Sequence, residues 1–406
     1  MSEIKNVVVA CDYAYIEGGA AKMAINTAIL LSRDPGLRVF FLGGCGEPAP
    51  ELRDSAVTCV LFRLPDLLQN PSKADAFIHG IYNGNVYRKV KEFLQNLDPE
   101  ETVLHVHTWT KVLTSAVFRA AHDCGIRIFL TIHDYFLACP NGGCYDYVHR
   151  RICERRPMSL RCLGCNCDSR NYVYKAWRCL RQWKQNRVLK RIDIRYIYIS
   201  AFQREQLNRR GVRAEKEYYL RNVIRTGERY RVKAEENDLF LMAGRLAPEK
   251  GAELFCEAVT RAGVRAAAAG DGPLKEELEK KYPGILFPGW LSPEEVREWG
   301  DRARCFVFPS VWYEGSPLSV PEMQAFGVPC IVTDCSAAVD TMQDGKNGLV
   351  VRADAGEMEQ AIRQFAEDEP VKGMSLAAYE LFDEKSCSPE TYVENLMRIY
   401  KEGSRE

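Results

Sequence analysis

The sequence has 406 residues, which is long enough for two domains of ordinary size, and 46% of them are hydrophobic, which allows large buried cores. No apolar run approaches the roughly 18–20 residues needed to cross a bilayer, and the opening stretch MSEIKNVVVACDY does not read as a signal peptide. Sixteen cysteines without a secretory signal favour reduced thiols over a disulfide framework. We therefore expect a cytoplasmic protein and disfavour membrane-spanning and disulfide-rich secreted classes.

The formal net charge of zero hides an uneven distribution of charge. Lys/Arg and Asp/Glu each number 55 in the whole chain, but residues 146–213 hold 18 Lys/Arg against 5 Asp/Glu. A local excess of this size indicates a surface that faces anions.

The first half of the chain begins with a βα unit. An apolar run at Asn6–Cys11 leads through a loop to Gly18 and Gly19, which open a helical pattern ending near Leu31. Such a loop allows backbone to approach a phosphate or a sugar, although it also fits an ordinary helix start. Further strands alternate with helices, which predicts a parallel, doubly wound sheet with ligands at the carboxyl ends of its strands; they are expected at 37–42, 58–61, 102–106 and 127–131.

The second half repeats this organisation. A strand at Leu239–Ala243 is followed by a glycine-flanked loop with two cations, Arg245 and Lys250, which suits a diphosphate. The next strand ends at Gly270. We expect a domain of residues 1–225, a second domain of residues 226–385, and a terminal helical segment of residues 386–406.

The stretch Arg304–Ile331 reads as strand, loop, helix and strand. It carries two carboxylates eight residues apart, Glu314 in the loop and Glu322 at the start of the helix. Free N–H groups around the helix start would form an anion site; they belong to Ser316, Leu318 and Ser319. Taken alone, the two glutamates fit a solvated loop and helix start equally well.

A resemblance to a known family separates these interpretations. E-x7-E within WYEGSPLSVPEMQAFGVPC resembles the signature of the retaining family 4 (group 1) glycosyltransferases, and the similarity recurs along most of the chain. The resemblance implies the α/β GT-B fold, with two Rossmann-like doubly wound domains facing across a cleft. It also implies that the C-terminal helix crosses back to the first, acceptor-side domain.

The resemblance also implies roles for individual residues. Glu314 would contact the transferred sugar near the reacting carbon, and Glu322 would bind the ribose hydroxyls. Arg245 and Lys250 would neutralise the leaving nucleoside diphosphate. The remaining contacts to the donor would come from His133, which follows a strand in the order T-I-H-D, and from Gly18, Gly19 and Gly270. Asp134 could orient the His133 ring, whereas His107 is interpreted as a packed residue.

The function implied is retaining transfer of a sugar from a nucleotide-diphosphate sugar to a glycan or lipid-linked acceptor, in cell-surface polysaccharide biosynthesis. No cofactor is expected to be required for catalysis. Two alternatives stay open: another GT-B activity, such as a sugar-nucleotide epimerase or a phosphorylase, and a non-catalytic nucleotide-sugar-binding scaffold.

An insertion at about residues 139–191 departs from the family pattern. Its Cys162-x2-Cys165 spacing is typical of metal knuckles, and a structural zinc ion is one interpretation. The candidate ligands are Cys153, Cys162, Cys165 and Cys167, with Cys139 as a substitute. The other interpretation is a set of unligated thiols.

The end of this insertion, Arg170–Arg191, has eight basic residues and no acidic ones. Its apolar residues share one helical face: Val173, Ala176, Trp177, Leu180 and Trp183. Basic helices that carry tryptophan favour anionic membrane interfaces, which predicts peripheral binding at the inner face of the cell membrane. A helix packed on the protein's own core is the alternative. Nucleic acid is not expected, because no nucleic-acid-binding module accompanies the charge.

Overall fold

The computed structural model describes residues 3–224 and 226–403. The first half of the chain builds a sheet of seven parallel strands and a small antiparallel pair. In chain order these strands are β1 (Asn6–Tyr13), β2 (Arg38–Cys45), β3 (Thr58–Leu61), β4 (Thr102–Val106), β5 (Arg127–Ile132), β6 (Tyr145–Asp146), β7 (Arg151–Ile152), β8 (Ile194–Tyr198) and β9 (Glu217–Tyr219). The large sheet has the order β3-β2-β1-β4-β5-β8-β9, and β6 pairs with β7.

The second half builds a six-stranded parallel sheet. Its strands are β10 (Leu239–Ala243), β11 (Ala266–Ala269), β12 (Leu286–Gly289), β13 (Ala303–Phe308), β14 (Cys330–Thr333) and β15 (Gly348–Val351). Their order is β12-β11-β10-β13-β14-β15, so the strand order reverses beside β10. Open sheets bind ligands outside the carboxyl ends of their strands at such a reversal.

Helices cover both sheets. Those of the first half are α1 (Gly19–Leu31), α2 (Pro50–Arg53), α3 (Lys73–His79), α4 (Gly84–Leu94), α5 (Ala116–Asp123), α6 (Leu160–Leu163), α7 (Tyr172–Leu189) and α8 (Ala201–Arg209). Those that follow are α9 (Ala252–Ala262), α10 (Lys275–Lys281), α11 (Pro293–Asp301), α12 (Ser319–Gln324), α13 (Ala355–Gln364), α14 (Asp368–Leu381) and α15 (Pro389–Glu402). Within the described ranges, no helix is both long and apolar enough to span a bilayer.

The apolar sequence runs become the central strands because both faces of a parallel sheet are covered. All eight residues of β1 are buried, as the continuous run NVVVACDY requires. The two faces of the first sheet carry separate apolar clusters, and the second sheet does the same. The predicted α/β class is therefore observed in both halves.

The last helix, α15, packs against the first sheet although it follows the second sheet in the chain. Its apolar residues Leu396 and Ile399 lie in the same cluster as β1 and β2. The Tyr392 hydroxyl is 2.7 Å from Thr27 Oγ1 on α1. Ser388 caps the helix by accepting a hydrogen bond from the Thr391 N–H. This packing connects the two halves a second time.

Candidate functional site

The loop between β13 and α12 holds the first carboxylate of the motif, Glu314, in a fixed position. Trp312 Nε1 donates a hydrogen bond of 2.8 Å to Glu314 Oε1, and the Lys250 ammonium pairs with the same oxygen. The Glu314 side chain is only 15% exposed. One indole N–H donor and one cation on the same oxygen hold this mostly buried carboxylate in one orientation. Lys250 thus contacts Glu314, whereas the sequence predicted it at a diphosphate.

Two glycines allow the loops around Lys250 and Glu314 to touch. Gly251 has φ +71°, and a Cβ at this position would lie 1.8 Å from the carbonyl oxygen of Pro309. Gly270 has φ +139°, and its Cβ would lie 1.9 Å from the carbonyl oxygen of Gly244. A residue other than glycine therefore fits neither position without moving backbone. The loops after β10, β11 and β13 meet at the carboxyl edge of the second sheet as a result.

Arg245 lies on the same edge as Lys250 but is largely free of protein contacts. Its side chain is 66% exposed, and its ion pair with Glu249 is long, at 3.9 Å. A guanidinium that projects from a glycine-bounded loop can bind a diphosphate through two N–H groups.

The second carboxylate, Glu322, lies in the first turn of α12 and is exposed. The surrounding protein displaces water and raises the pKa of Glu322, and the ammonium of Lys22 on α1 partly offsets this rise. Sequence reasoning missed Lys22; its place one turn after the Gly18-Gly19 pair is the signal that could have indicated it. A Cβ on Gly18 or Gly19 would meet no atom within 4 Å, so both glycines border open space.

The three predicted N–H donors lie where α12 begins. Ser319 is the first residue of the helix, and Leu318 is its N-cap. Because the Leu318 side chain cannot accept hydrogen bonds, it does not cap the N–H groups of the first turn. Ser316 and Leu318 also line a cavity of about 240 Å³ shared with Asn222 of the first half and Asp340 of the second.

His133 is part of a row of three histidines at the carboxyl ends of β4 and β5. Its Nε2 lies 2.9 Å from His107 Nδ1, and the two rings stack at 5.1 Å. His107 in turn lies beside His105, whose ring nitrogens are 2.7 Å from the Tyr400 hydroxyl and from Thr131 Oγ1. Burial lowers the pKa of His133 to about 4 and that of His105 to about 3. The row is therefore uncharged at neutral pH.

This geometry changes the interpretation of two neighbours of His133. The carboxylate of Asp134 accepts from the Phe136 N–H at 2.9 Å, so the hydrogen-bonded partner of the His133 ring is His107 instead of Asp134. His107 Nε2 is buried and lacks a hydrogen-bond partner in the described part of the chain. A buried N–H without an acceptor costs more than an unused lone pair, so the shared proton belongs on His107 Nδ1. Nε2 of His133 then accepts the hydrogen bond from His107 Nδ1–H, and Nδ1 of His133 carries the ring hydrogen.

His133 and Glu314 come from different halves and meet at one place. A Cβ on Gly315 would lie 3.3 Å from the carbonyl oxygen of His133 and 2.7 Å from Gln203 Nε2. The ring of Tyr313 packs against Tyr135 at 5.8 Å. The fold thus places the loop that carries Glu314 against the backbone of His133, with Lys250 beside Glu314.

The cysteine-rich insertion packs beside this loop. A Cβ on Gly143 would lie 2.9 Å from the ring of Trp312, the residue that holds Glu314. Arg150 pairs with Glu253 of α9 at 3.7 Å. The insertion therefore supports the loop between β13 and α12 through Trp312.

The predicted zinc ligands do not converge. Their polar contacts are with other side chains: Cys153 lies 3.7 Å from Arg155, Cys162 lies 3.6 Å from Lys175 Nζ, Cys165 lies 3.8 Å from Asp146, and Cys167 lies 3.3 Å from Asn141. Cys167 also contacts Lys175 and Cys165. Across residues 3–224 and 226–403, no three His, Cys, Asp or Glu side chains lie close enough to hold a metal ion. The buried Lys175 ammonium among the thiols opposes a second cation there. The substitute, Cys139, is hydrogen-bonded to Cys144, which lowers its pKa to about 6. The zinc site stays a prediction that this geometry does not support.

Known proteins resemble the chain in fold and in part of its sequence. Residues 237–368 match the family model described as Glycosyl transferases group 1. The structure is similar to Anabaena Alr3699/HepE in complex with UDP, with a TM-score of 0.69, 13% identity and coverage of 98% of this chain and 100% of that one. The chain has the GT-B fold and a group 1 glycosyltransferase domain. A second similar structure is sucrose-phosphate synthase from Thermosynechococcus elongatus, with a TM-score of 0.68, 16% identity and 98% coverage of both chains.

Curated relatives match part of the chain in sequence. A GDP-mannose-dependent alpha-mannosyltransferase of Corynebacterium glutamicum is 33% identical over 108 residues, which are 27% of this chain and 26% of that protein. The UDP-Gal:alpha-D-GlcNAc-diphosphoundecaprenol alpha-1,3-galactosyltransferase of Escherichia coli is 28% identical over 127 residues, 28% of this chain and 32% of that protein. The matches span about a quarter to a third of these relatives. The predicted GT-B fold is confirmed, and residues 237–368 match the predicted family.

Proposed function

We propose that the chain transfers a sugar from a nucleoside-diphosphate sugar to an acceptor, with retention at the anomeric carbon. The observation that carries this proposal is the fixed Glu314, paired with Lys250, in a cleft that also receives His133 and the exposed Arg245. A carboxylate, two cations and a helix start at the carboxyl edge of a parallel sheet suit a sugar diphosphate.

In this mechanism the protein positions the donor and stabilises the charge of the leaving group. Arg245, Lys250 and the N–H groups at the start of α12 neutralise the diphosphate as the bond between its oxygen and the anomeric carbon breaks. The acceptor oxygen bonds to that carbon on the same face, and its proton passes to the leaving phosphate. Glu314 and the Nδ1–H of His133 face the sugar. The charge is neutralised by side chains and backbone, so we propose that transfer requires no cofactor.

The relatives suggest the class of donor and acceptor. One relative is named for GDP-mannose and another for UDP-galactose and a diphosphoundecaprenol-linked acceptor. We propose a hexose donor and a glycan or lipid-linked acceptor in cell-surface polysaccharide biosynthesis on the cytoplasmic side of the membrane.

The test of this proposal is donor binding followed by turnover. A panel of UDP, GDP and ADP should include one nucleotide that raises the melting temperature by several degrees, since a ligand at 100 Kd stabilises by about 2.7 kcal/mol. The matching nucleotide sugar should then be hydrolysed or transferred when a glycolipid extract is added. A chain that responds to none of these nucleotides would be a scaffold, and the transferase proposal would be abandoned.

Helix α7 supports a peripheral membrane location because its polar face is buried against the protein and its apolar face is exposed. Its buried residues are mainly polar, and they bind backbone carbonyls: Gln182 donates to the Leu137 carbonyl at 3.2 Å, and Gln185 donates to the Phe136 carbonyl at 2.9 Å. The predicted apolar face points outward, with Val173 74% and Trp183 49% exposed. The helix therefore does pack on the protein's own core, as the alternative expected, but through its polar face, which leaves the apolar face free for a membrane.

A neighbouring helix extends this apolar surface. Phe77 and Ile78 of α3 are also exposed, and α3 is joined to α7 by the hydrogen bond of 2.9 Å from Trp177 Nε1 to the Phe77 carbonyl. Arg187 and Lys190 are exposed at the C-terminal end of α7. Exposed apolar side chains beside unpaired basic ones suit an anionic bilayer surface.

Vesicle binding provides the test of this location. The protein should sediment with phosphatidylglycerol vesicles at low salt, and Leu180→Glu with Trp183→Glu should reduce the bound fraction at least fivefold by placing charges in the apolar layer. The control is Leu376→Glu, which alters an exposed leucine of α14 in the second half. Equal binding by the α7 variant and the control would refute the membrane surface.

A further inference from the structure

A second large cavity lies in the first half of the chain, between the C-terminal ends of α7 and α8 and the start of β8. Its volume is about 1050 Å³. Two acidic residues line it, Asp193 and Glu215, against six basic ones: Arg156, Lys190, Arg191, Arg209, Arg210 and Arg213. A concave surface with one sign of charge concentrates the electrostatic field and attracts counter-ions more strongly than a convex surface does.

Part of this charge is already neutralised or committed. Arg209 pairs with Glu205, and Asp193 pairs with Arg195 at 2.9 Å. Arg210 donates to the carbonyls of Gln206 and Cys153 at 2.9 and 3.2 Å and lies over the Tyr313 ring. Its donors are therefore occupied by the protein itself.

Four cations of the cavity remain without a carboxylate partner among the described residues: Arg156, Lys190, Arg191 and Arg213. They come from three separate segments, namely the insertion, the end of α7 and the loop after α8. The fold thus brings together cations that are distant in sequence and leaves them unpaired around one hollow. Helical spacing of three and four residues also places Lys190 on the exposed α7 face that carries Leu180 and Trp183.

Apolar residues form part of the wall between these cations. They are Leu137, Ala138, Leu189, Ile192 and Val212. A small hydrated anion such as chloride would gain nothing from such a wall. A phosphate group attached to an apolar or bulky moiety would place its charge at the rim and its remaining atoms against the wall.

We propose that this cavity binds a phosphate-bearing amphiphile or phosphate ester through Arg156, Lys190, Arg191 and Arg213. The site is separate from the proposed donor site around Arg245, Lys250 and Glu314, and it does not depend on the proposed transfer reaction. The phosphate could belong to a lipid headgroup or to a soluble molecule, and the two sources share the same recognition chemistry.

The test uses two probes and a matched pair of variants. The cavity variant is Arg191→Gln with Arg213→Gln, and the control is Arg33→Gln with Arg53→Gln, which removes the same charge from an exposed surface of the same half. The first probe is inorganic pyrophosphate. For this titration, both variants also carry Arg245→Ala and Lys250→Met, so that the proposed diphosphate site contributes little binding. The second probe is phosphatidylglycerol vesicles compared with phosphatidylcholine vesicles at one fixed low salt concentration.

The proposal predicts that the cavity variant weakens binding of at least one probe by fivefold or more relative to the control. Loss with pyrophosphate alone would identify a soluble phosphate, and loss with anionic vesicles would identify a headgroup. Equal binding of both probes by the cavity variant and the control would overturn the proposal. Nucleotide-induced stabilisation of the otherwise unchanged cavity variant should persist, which separates this outcome from failure of the donor site.

Discussion

Replacement of Glu314 by Gln is expected to lower the kcat of sugar transfer by about 10²–10³-fold, the usual effect of removing one preorganised charge from a transition state. The amide keeps the size of the side chain and one oxygen to accept from Trp312, but it loses the charge that pairs with Lys250. Steady-state kinetics with the donor identified in the panel would measure the effect. Nucleotide-induced stabilisation should persist, because the diphosphate contacts of Arg245 stay in place.

The control for this variant is Glu257→Gln, which removes a carboxylate from α9 that pairs with Arg261 away from the cleft. Its kcat should stay close to that of the wild type. A cycle with Lys250→Met adds a second check, because residues in direct contact have non-additive effects. A kcat for Glu314→Gln within threefold of the wild type would remove Glu314 from the mechanism.

Replacement of Gly251 by Ala is expected to cause a large loss of stability. Gly251 and Gly263 have almost the same backbone conformation, with φ +71° and +70°, but a Cβ on Gly263 would meet no atom within 4 Å. Gly263→Ala should therefore cost only the left-handed strain, about 1–2 kcal/mol. Gly251→Ala adds the clash with the Pro309 carbonyl, and forced rearrangement of this kind adds about 1–3 kcal/mol.

Thermal unfolding of both variants would measure the difference between strain and clash. The clash lies between the loops that carry Lys250 and Glu314, so Gly251→Ala should also reduce the stabilisation by nucleotide, whereas Gly263→Ala should not. Equal losses of melting temperature in the two variants would contradict the close approach of these loops.

Local sequence patterns are enough to predict the class of fold and the strand–loop–helix arrangement that carries Glu314. Continuous apolar runs such as Asn6–Cys11 identify strands buried on both faces, because a parallel sheet gives them no solvated side. The stretch Arg304–Ile331 was resolved into strand, loop, helix and strand, and the structure has β13, α12 and β14 there. These features are local, so short segments of chain carry them. The individual site residues came from the resemblance to a family.

Which side chains become partners depends on contacts between segments that are distant in the chain. His107 and His133 are 26 residues apart and meet because β4 and β5 are neighbours in the sheet. Lys22 comes near Glu322 because the two halves face each other across a cleft. Helix α7 gives the clearest case: periodicity identified its apolar face, but the choice of buried face depended on carbonyls after β5 that needed the donors of Gln182 and Gln185. A pattern in one segment cannot report the unsatisfied groups of another, and those groups determined the packing.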